Sequence, residues 1–472
     1  AISSEATGKV TLTAKWEKNA DTPIIPEPPV EGTVLEVGEG KTYATIADAM
    51  AVAKAGDTIK LSAGTYEAAE ITVAGITLAG PNAGVNPNKD ARSEEAIFVG
   101  DLLVSANNIV IDGIYLTEKG RIVGNEKGVS SIVIKNVEIK ASTVNPTSSD
   151  SATAPFMFAS AQQGAEFVNI QIDQVKNTES KGRPMILFGA QVNGLSITNS
   201  TFIAIGGNYN DGVKLSKSGN YVDAAYGIKG EVEIKGNHFE NYMQYVLWFN
   251  NYQEGNYVIA NNTFKNCGQT AGSHAAATFN TYSGSADGKA SIAVTHNTVD
   301  NSYSLLRLDK NTVIAEANFA VNVNYNKLYK CAATYYVNNK NTYNIDATNN
   351  WYDQAPVASK FLGATWEPYY ADENEVPEYV EKENAYKITY VLNGGVFGSV
   401  SYETTIEGAP ASEVEIGAYY SDGLDPVAPI VICEPSIVSK NSLRWQYKVL
   451  LQYNEKLNAY EVVAVDGATA GI

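Results

Sequence analysis

Between about Thr33 and Ala371 one phrase repeats, and no other feature limits the fold so tightly. Two or three alternating apolar residues lead into a small polar turn, usually with Asn, and another apolar residue follows. It reads IVIDGIYL (109–116), IVIKNVEI (132–139), IQIDQV (170–175), LSITNSTF (195–202), VEIKGNHF (232–239), VIANNTF (258–264), IAVTHNTV (292–299), VNVNYNKL (321–328) and IDATNNW (345–351). Aligning Asp112, Lys135, Asp173, Ser200, Asn237, Asn262, Asn297, Asn326 and Asn349 gives intervals of 23, 38, 27, 37, 25, 35, 29 and 23 residues. Alternation is strand patterning. Self-similarity of this length, with turns and no helical segments, predicts a stacked solenoid whose longer intervals carry surface-loop insertions.

A two-residue bend between parallel strands needs a left-handed residue, which Asn tolerates better than most. Stacked coils then bring successive amides together, so Asn237, Asn262, Asn297, Asn326 and Asn349 are expected to form a hydrogen-bonded ladder. With strands about 4.8 Å apart, roughly ten to twelve coils make a rod about 50–60 Å long.

Upstream lies YATIADAMAVAKAGDTIKLSAGTY, from Tyr43 to Tyr66. Ile46, Ala49, Met50 and Ala53 follow helical spacing, with Thr45 as a possible N-cap and Gly56 as the stop. Ile59 and Leu61 then alternate with polar residues as a strand. A short amphipathic helix here would cover the otherwise open end of the first coil. The stretch resembles the start of the pectate-lyase-like right-handed parallel β-helix, in which "TIxxAxxxAxxGDTIxLxxGTY" recurs and Asn ladders are a feature. The resemblance implies an all-β fold with an N-terminal helical cap. It leaves activity open, because enzymes and adhesins share that fold.

The expected organisation has five parts. Residues 1–20 contain GKVTLTAKWEK, similar to the closing strand of an internalin-type B repeat of bacterial surface proteins, so residue 1 is an expected processing boundary. Residues 21–33 form a Pro-rich linker. The β-helix occupies 34–371, an acidic linker 372–385, and a small all-β, sandwich-like module 386–472. Within that module, 444–465 reads as a hairpin turning near Asn454–Asn458. GPNAGVNPNKDARSEEA (80–96) and NNWYDQAPVASKFLGATWEPYYADE (349–373) resemble an early loop and the last coil of bacterial surface β-helices.

The formal net charge of −18 argues against nucleic acid or an anionic membrane surface as the main partner. It also disfavours a polyanionic glycan unless calcium bridges the two. No run of 18 apolar residues offers a membrane span. Cys267, Cys331 and Cys433 make neither a CxxC pair nor a zinc spacing. Cys267 and Cys331 fall at matching points of two repeats, as interior or turn residues rather than a disulfide pair.

A polysaccharide lyase of this fold needs carboxylates to hold calcium and a Lys or Arg to take the proton α to the uronate carboxyl. Arg307, Asp309 and Lys310 are the best such cluster, because alternation places 307 and 309 on one face; an ordinary solvated ion pair would look the same. A polygalacturonase-type hydrolase needs clustered aspartates. Asn210-Asp211-Gly212 resembles part of that family's pattern, but its other stretches are absent. His238, His274 and His296 are too scattered for a triad or metal site, and no metal site is expected.

Aromatic residues remain. Tyr245, Trp248, Tyr282 and Tyr336, with Arg307, are candidates to stack on sugar faces and hydrogen-bond their hydroxyls. A register slip of one residue would turn any of them inward. The expected function is a secreted, bacterial cell-surface, multi-module protein whose non-catalytic β-helix serves as adhesin or spacer, with a glycan or matrix ligand. Two other classes stay open. One is a polysaccharide lyase, or less favourably a glycoside hydrolase; the other is a surface filament or layer subunit whose partners are copies of itself.

Overall fold

The structure is a computed structural model that describes residues 32–140, 154–160, 162, 164–180, 185–205, 211–215, 226–268, 275–331 and 333–380, plus the backbone of seven short strands between 386 and 466. The expected closing strand at 1–20 and nearly all of the Pro-rich linker at 21–33 lie outside these residues.

The chain from Val30 to Tyr379 forms one compact unit. Within it, each coil visits three parallel ladders in turn. Asp101–Val104 lies on the first ladder, Ile109–Asp112 on the second and Tyr115–Leu116 on the third. Arg121–Gly124 then returns to pair in parallel with Asp101–Val104, and the cycle begins again. The third ladder has 11 strands; the first and second join in a 23-stranded sheet because the strand Leu247–Ala260 runs through both. This is an all-β parallel β-helix of about the expected number of coils.

Alternation explains the core. Ile109 and Ile111 point inward, and the register places Ile132 and Ile134, then Ile170 and Ile172, then Leu195 and Ile197 above them. All eight are buried, and each contributes about 1.5–3 kcal/mol by leaving water. On the third ladder Phe202, Phe239 and Phe264 stack in successive coils with ring centroids 5.4 and 5.5 Å apart. Parallel in-register stacking puts like residues together, which is why the apolar phrase repeats.

The helix Ile46–Met50 replaces the third- and first-ladder strands of the first coil. Thr45 and Asp48 close a capping box at its N-terminus, and Ile46, Ala49 and Met50 are buried. It follows a strand, Val34–Val37, that the helical motif did not announce, and it packs on that strand and on Ala69–Ile71.

The corner between the second and third ladders divides its labour between two columns. Gly113, Asn136, Gln174, Asn199, Gly236, Asn261, His296, Tyr325 and Asn349 hold positive φ between 50° and 71°. The next residue in each of the later coils carries the ladder. Asn237, Asn262, Asn297 and Asn326 are at most 2% exposed, and each donates both its backbone N–H and its Nδ2 to the Oδ1 of the next ladder Asn at 2.8–3.0 Å. The ladder ends on Asn350, not Asn349. The correction has a simple cause: the bend needs two residues, the first left-handed and the second turned inward, and "NN" offers an Asn for each. Asp112, Lys135 and Asp173 likewise stand in register with Thr198, two residues before ladder member Ser200.

Two segments lie along this corner. The loop 80–96 reaches across several coils: Arg92 donates to the Asn136 and Ile114 carbonyls at 2.7 and 3.1 Å, and Asn88 to those of Val175 and Asn199 at 3.2 Å. At the other end, Asp372–Tyr379 folds back on the rod rather than serving as a linker. Val376 is 5% exposed, and the Tyr329 hydroxyl donates to Glu373 at 2.5 Å.

The described strands beyond residue 385 pair antiparallel. Lys448–Asn454 and Ala459–Asp466 form the expected hairpin, closing at Asn454 opposite Ala459. The expected sandwich-like packing of 386–472 lies outside the described residues.

Candidate functional site

Outward positions on the first ladder stack as strictly as inward ones. The register lines up Lys214, Trp248, Thr278, Arg307 and Asn338 on successive strands. Two residues further along, Asn280 and Asp309 fall in neighbouring positions, since the Asp309 N–H bonds the Phe279 carbonyl. Pairing in register therefore assembles a polar patch from segments far apart in sequence.

Asp309 is its hub. Arg307 donates through Nε and Nη2 to the two Asp309 oxygens, both at 2.9 Å. Lys340 Nζ approaches Oδ1 at 2.7 Å, and Asn280 Nδ2 donates to Oδ2 at 2.6 Å. Asn280 accepts in turn from the Trp248 indole N–H. Burial pushes the Asp309 carboxyl up, but the hydrogen bonds from Arg307, Lys340 and Asn280 outweigh it and hold the group below the usual aspartate range.

The aromatic side is equally ordered. Tyr245 stacks on Trp248 with centroids 4.3 Å apart and planes 17° from parallel. Lys214 Nζ stands 5.0 Å from the Trp248 ring centre, a cation–π contact. Burial raises the Tyr245 phenol above its ordinary value, although Arg307 beside it acts in the opposite direction. The Tyr245 backbone N–H donates to buried Asp211 at 3.3 Å.

Of the residues singled out in the sequence, Tyr245, Trp248, Arg307 and Asp309 meet here. Lys310 is exposed and alternation takes it off the face of Arg307 and Asp309; the lysine on Asp309 is Lys340, one coil further on. Tyr282 and Tyr336 belong to the core instead. Tyr282 is 3% exposed and packs edge-on against Tyr252 at 5.4 Å, while Tyr336 is 9% exposed and stacks on Tyr352 at 5.4 Å. Counting along a strand located Arg307 and Asp309, but Asn280 and Lys340 emerge only from the strand-to-strand register. The signal was present: pairing Arg307 with Asn338 also puts Lys340 beside Asp309.

His238 bonds Glu240 at 2.9 Å, His296 sits at the left-handed corner, and His274 and Asn210 lie outside the described residues. Cys267 and Cys331 are free thiols in one column of the corner between the third and first ladders, with Ser302 on the coil between them. Among the described residues no group of three or more His, Cys, Asp or Glu is placed to hold a metal ion, and no helix is long and apolar enough to cross a membrane.

The ladders define the class: a parallel β-helix protein with a polar and aromatic patch on one outward face. No family model and no curated protein matches the chain. Among solved structures it is similar to a rhamnogalacturonan lyase, at 13% identity over 78% of this chain and 97% of that one, with a TM-score of 0.24. A likeness at that level carries no argument about activity.

Proposed function

We propose that this chain is a non-catalytic β-helical module of a secreted bacterial cell-surface protein and that its first-ladder patch binds a glycan. The observation that carries the reading is the network of Arg307, Lys340 and Asn280 closed on Asp309 beside the Tyr245–Trp248 stack. Its groups are held by one another. A general base needs a lone pair within reach of the substrate and a basicity matched to its task. Asp309 is made a weaker base by its donors, the Tyr245 phenol is made a weaker acid by burial, and the Arg307 fork is taken by Asp309. A rigid set of amide, guanidinium and ring edges suits recognition of hydroxyls.

The surface-protein part of the proposal rests on the sequence resemblances at 1–20, 80–96 and 349–373. The runner-up is a polysaccharide lyase, favoured by the three cations, Lys214, Arg307 and Lys340, on one outward face.

One experiment separates the two. Wild type, Trp248→Ala and Arg307→Ala would be tested for binding to an array of glycans. The same proteins would be incubated with uronate polysaccharides, with and without calcium, while the absorbance of the unsaturated product is followed. Binding to a defined glycan class, weakened about ten-fold or more in either variant, with no absorbance rise, supports the proposal. A rise that disappears in Arg307→Ala establishes the lyase instead.

A further inference from the structure

A second recess lies at the corner between the second and third ladders, away from the first-ladder patch. Three left-handed positions in successive coils, Asn261, His296 and Tyr325, form its floor. The folded-back segment ending at Tyr379 forms a wall, and Lys327 and Glu378 stand at its edge. The recess is open to solvent and has a volume of about 330 Å³.

We infer that this recess is a binding subsite for one pyranose ring of a glycan. Its rings are set at two inclinations. His296 lies over Tyr325 with centroids 5.0 Å apart and planes 29° from parallel, and it meets Tyr379 edge-on at 5.5 Å and 68°. A pyranose offers an apolar C–H face to such rings and hydroxyls around its rim. The lining of the recess supplies an amide from Asn261, an ammonium from Lys327 and a carboxylate from Glu378. That mixture gives donors and acceptors together, whereas a purely anionic ligand would face Glu378 and a purely cationic one Lys327.

The fold offers a second observation. His296 Nδ1 is buried and has no hydrogen-bond partner among the described residues. A buried polar atom left unpaired is uncommon in native structures; this one is closed off from the surface, so a ligand hydroxyl bonds it only when the His296 ring turns toward the recess. The position itself is unusual, because the other coils fill this corner column with Gly, Asn or, once, Gln174, while here two ring-bearing residues, His and Tyr, accept positive φ. Large rings at strained corner positions do not help the coil turn; they do build the floor of the recess.

The chain has three histidines, so imidazole NMR reads this recess directly, with His296→Gln assigning the resonance. The full chain would be titrated with the methyl glycosides of glucose, galactose, N-acetylglucosamine and glucuronic acid. At least one is expected to shift the His296 signals saturably, with an affinity around 1 mM, while His238 stays put. Tyr325→Ala should weaken the effect by about ten-fold or more, and Trp248→Ala should leave it unchanged, which separates this subsite from the first-ladder patch. Should Tyr325→Ala fail to fold, Tyr379→Ala on the folded-back segment serves the same purpose. No shift with any of the four, equal shifts at His238, or full retention in the folded variants would overturn the inference.

Discussion

Asn262 donates twice to a single acceptor: its backbone N–H and its side-chain Nδ2 both meet Asn297 Oδ1 at 3.0 Å, one coil away. The same Nδ2 also donates to the Ile234 carbonyl at 2.7 Å, and Asn262 Oδ1 accepts the matching pair from Asn237. Each ladder amide is thus tied to the coils on both sides of it, in the dry interior.

Removing one rung should therefore be costly. Asn262→Ala leaves several buried groups unpaired at about 1–3 kcal/mol each, so a loss of roughly 3–5 kcal/mol in unfolding free energy is expected. The end of the ladder gives the sharper comparison. Asn350→Ala should lower the denaturation midpoint clearly more than Asn349→Ala, whose main cost is about 1–2 kcal/mol for a non-Gly, non-Asn residue held left-handed. Equal midpoints would show that Asn350 is not the terminal rung.

The Asp309 network predicts a particular acid response. Because the folded carboxyl titrates below the ordinary value of 3.8, the unfolded chain binds the proton first as pH falls. The stabilisation is fully present above 3.8 and is lost as pH falls from there through the lower folded value. Chemical unfolding across this window should show a steeper decline for wild type than for Asp309→Asn. At neutral pH Asp309→Asn should be less stable by about 1–3 kcal/mol, having lost charge-assisted bonds. Parallel pH curves for the two proteins would sink this account.

Gly113 tests whether the loop 80–96 is seated on the corner. A Cβ there would lie 2.0 Å from the Ala83 nitrogen and 2.1 Å from the Asn82 carbonyl carbon, and φ is +71°. Gly113→Ala must displace backbone, so a loss above the roughly 1–2 kcal/mol of left-handed strain is expected. Hydrogen exchange at the Gly84 amide, which donates to Asp112 at 3.0 Å, should quicken at the same time. Gly40 has a similar φ of +72° with nothing within 4 Å of its Cβ position, so Gly40→Ala should show the strain alone.

Burial pushes the Cys267 and Cys331 thiols up to about 12. The reactive thiolate is therefore scarce at pH 8 or below. Neither residue should be modified by an aromatic disulfide reagent in the folded protein, and peptide mapping should find label on both only as the rod unfolds. Cys267 labelling at the rate of a free thiol under native conditions would contradict the burial described.

How much of this was legible in the chain varies by element. The solenoid was, because one phrase repeated over the length of the rod and each copy obeys the same alternation. The capped start of the helix was, because Thr45, Ile46, Ala49 and Met50 are local signals, but the helix ends at Met50, short of the expected Ala53 and Gly56. The ladder was off by one residue at its end, although aligning the Asn pair of VIANNTF, whose second member is Asn262, with that of IDATNNW points to Asn350. The patch was half legible. Arg307 and Asp309 lie on one strand, where alternation suffices, but Lys340 and Asn280 come from neighbouring strands whose offset depends on loops of unequal length.

The sequence by itself determined the class of fold, the period of its coils and the kind of residue at each corner. Those follow from local rules: alternation, turn chemistry and helix capping act over a few residues. Only the tertiary structure decided which aromatic rings face out. Tyr245 and Trp248 flank an outward patch while Tyr282 and Tyr336 fill the core, because the inward or outward sense of a ring near a bend is set by the coil above and below it. The recess at His296 has the same origin: its wall is brought by a segment more than seventy residues later in the chain, between Val376 and Tyr379.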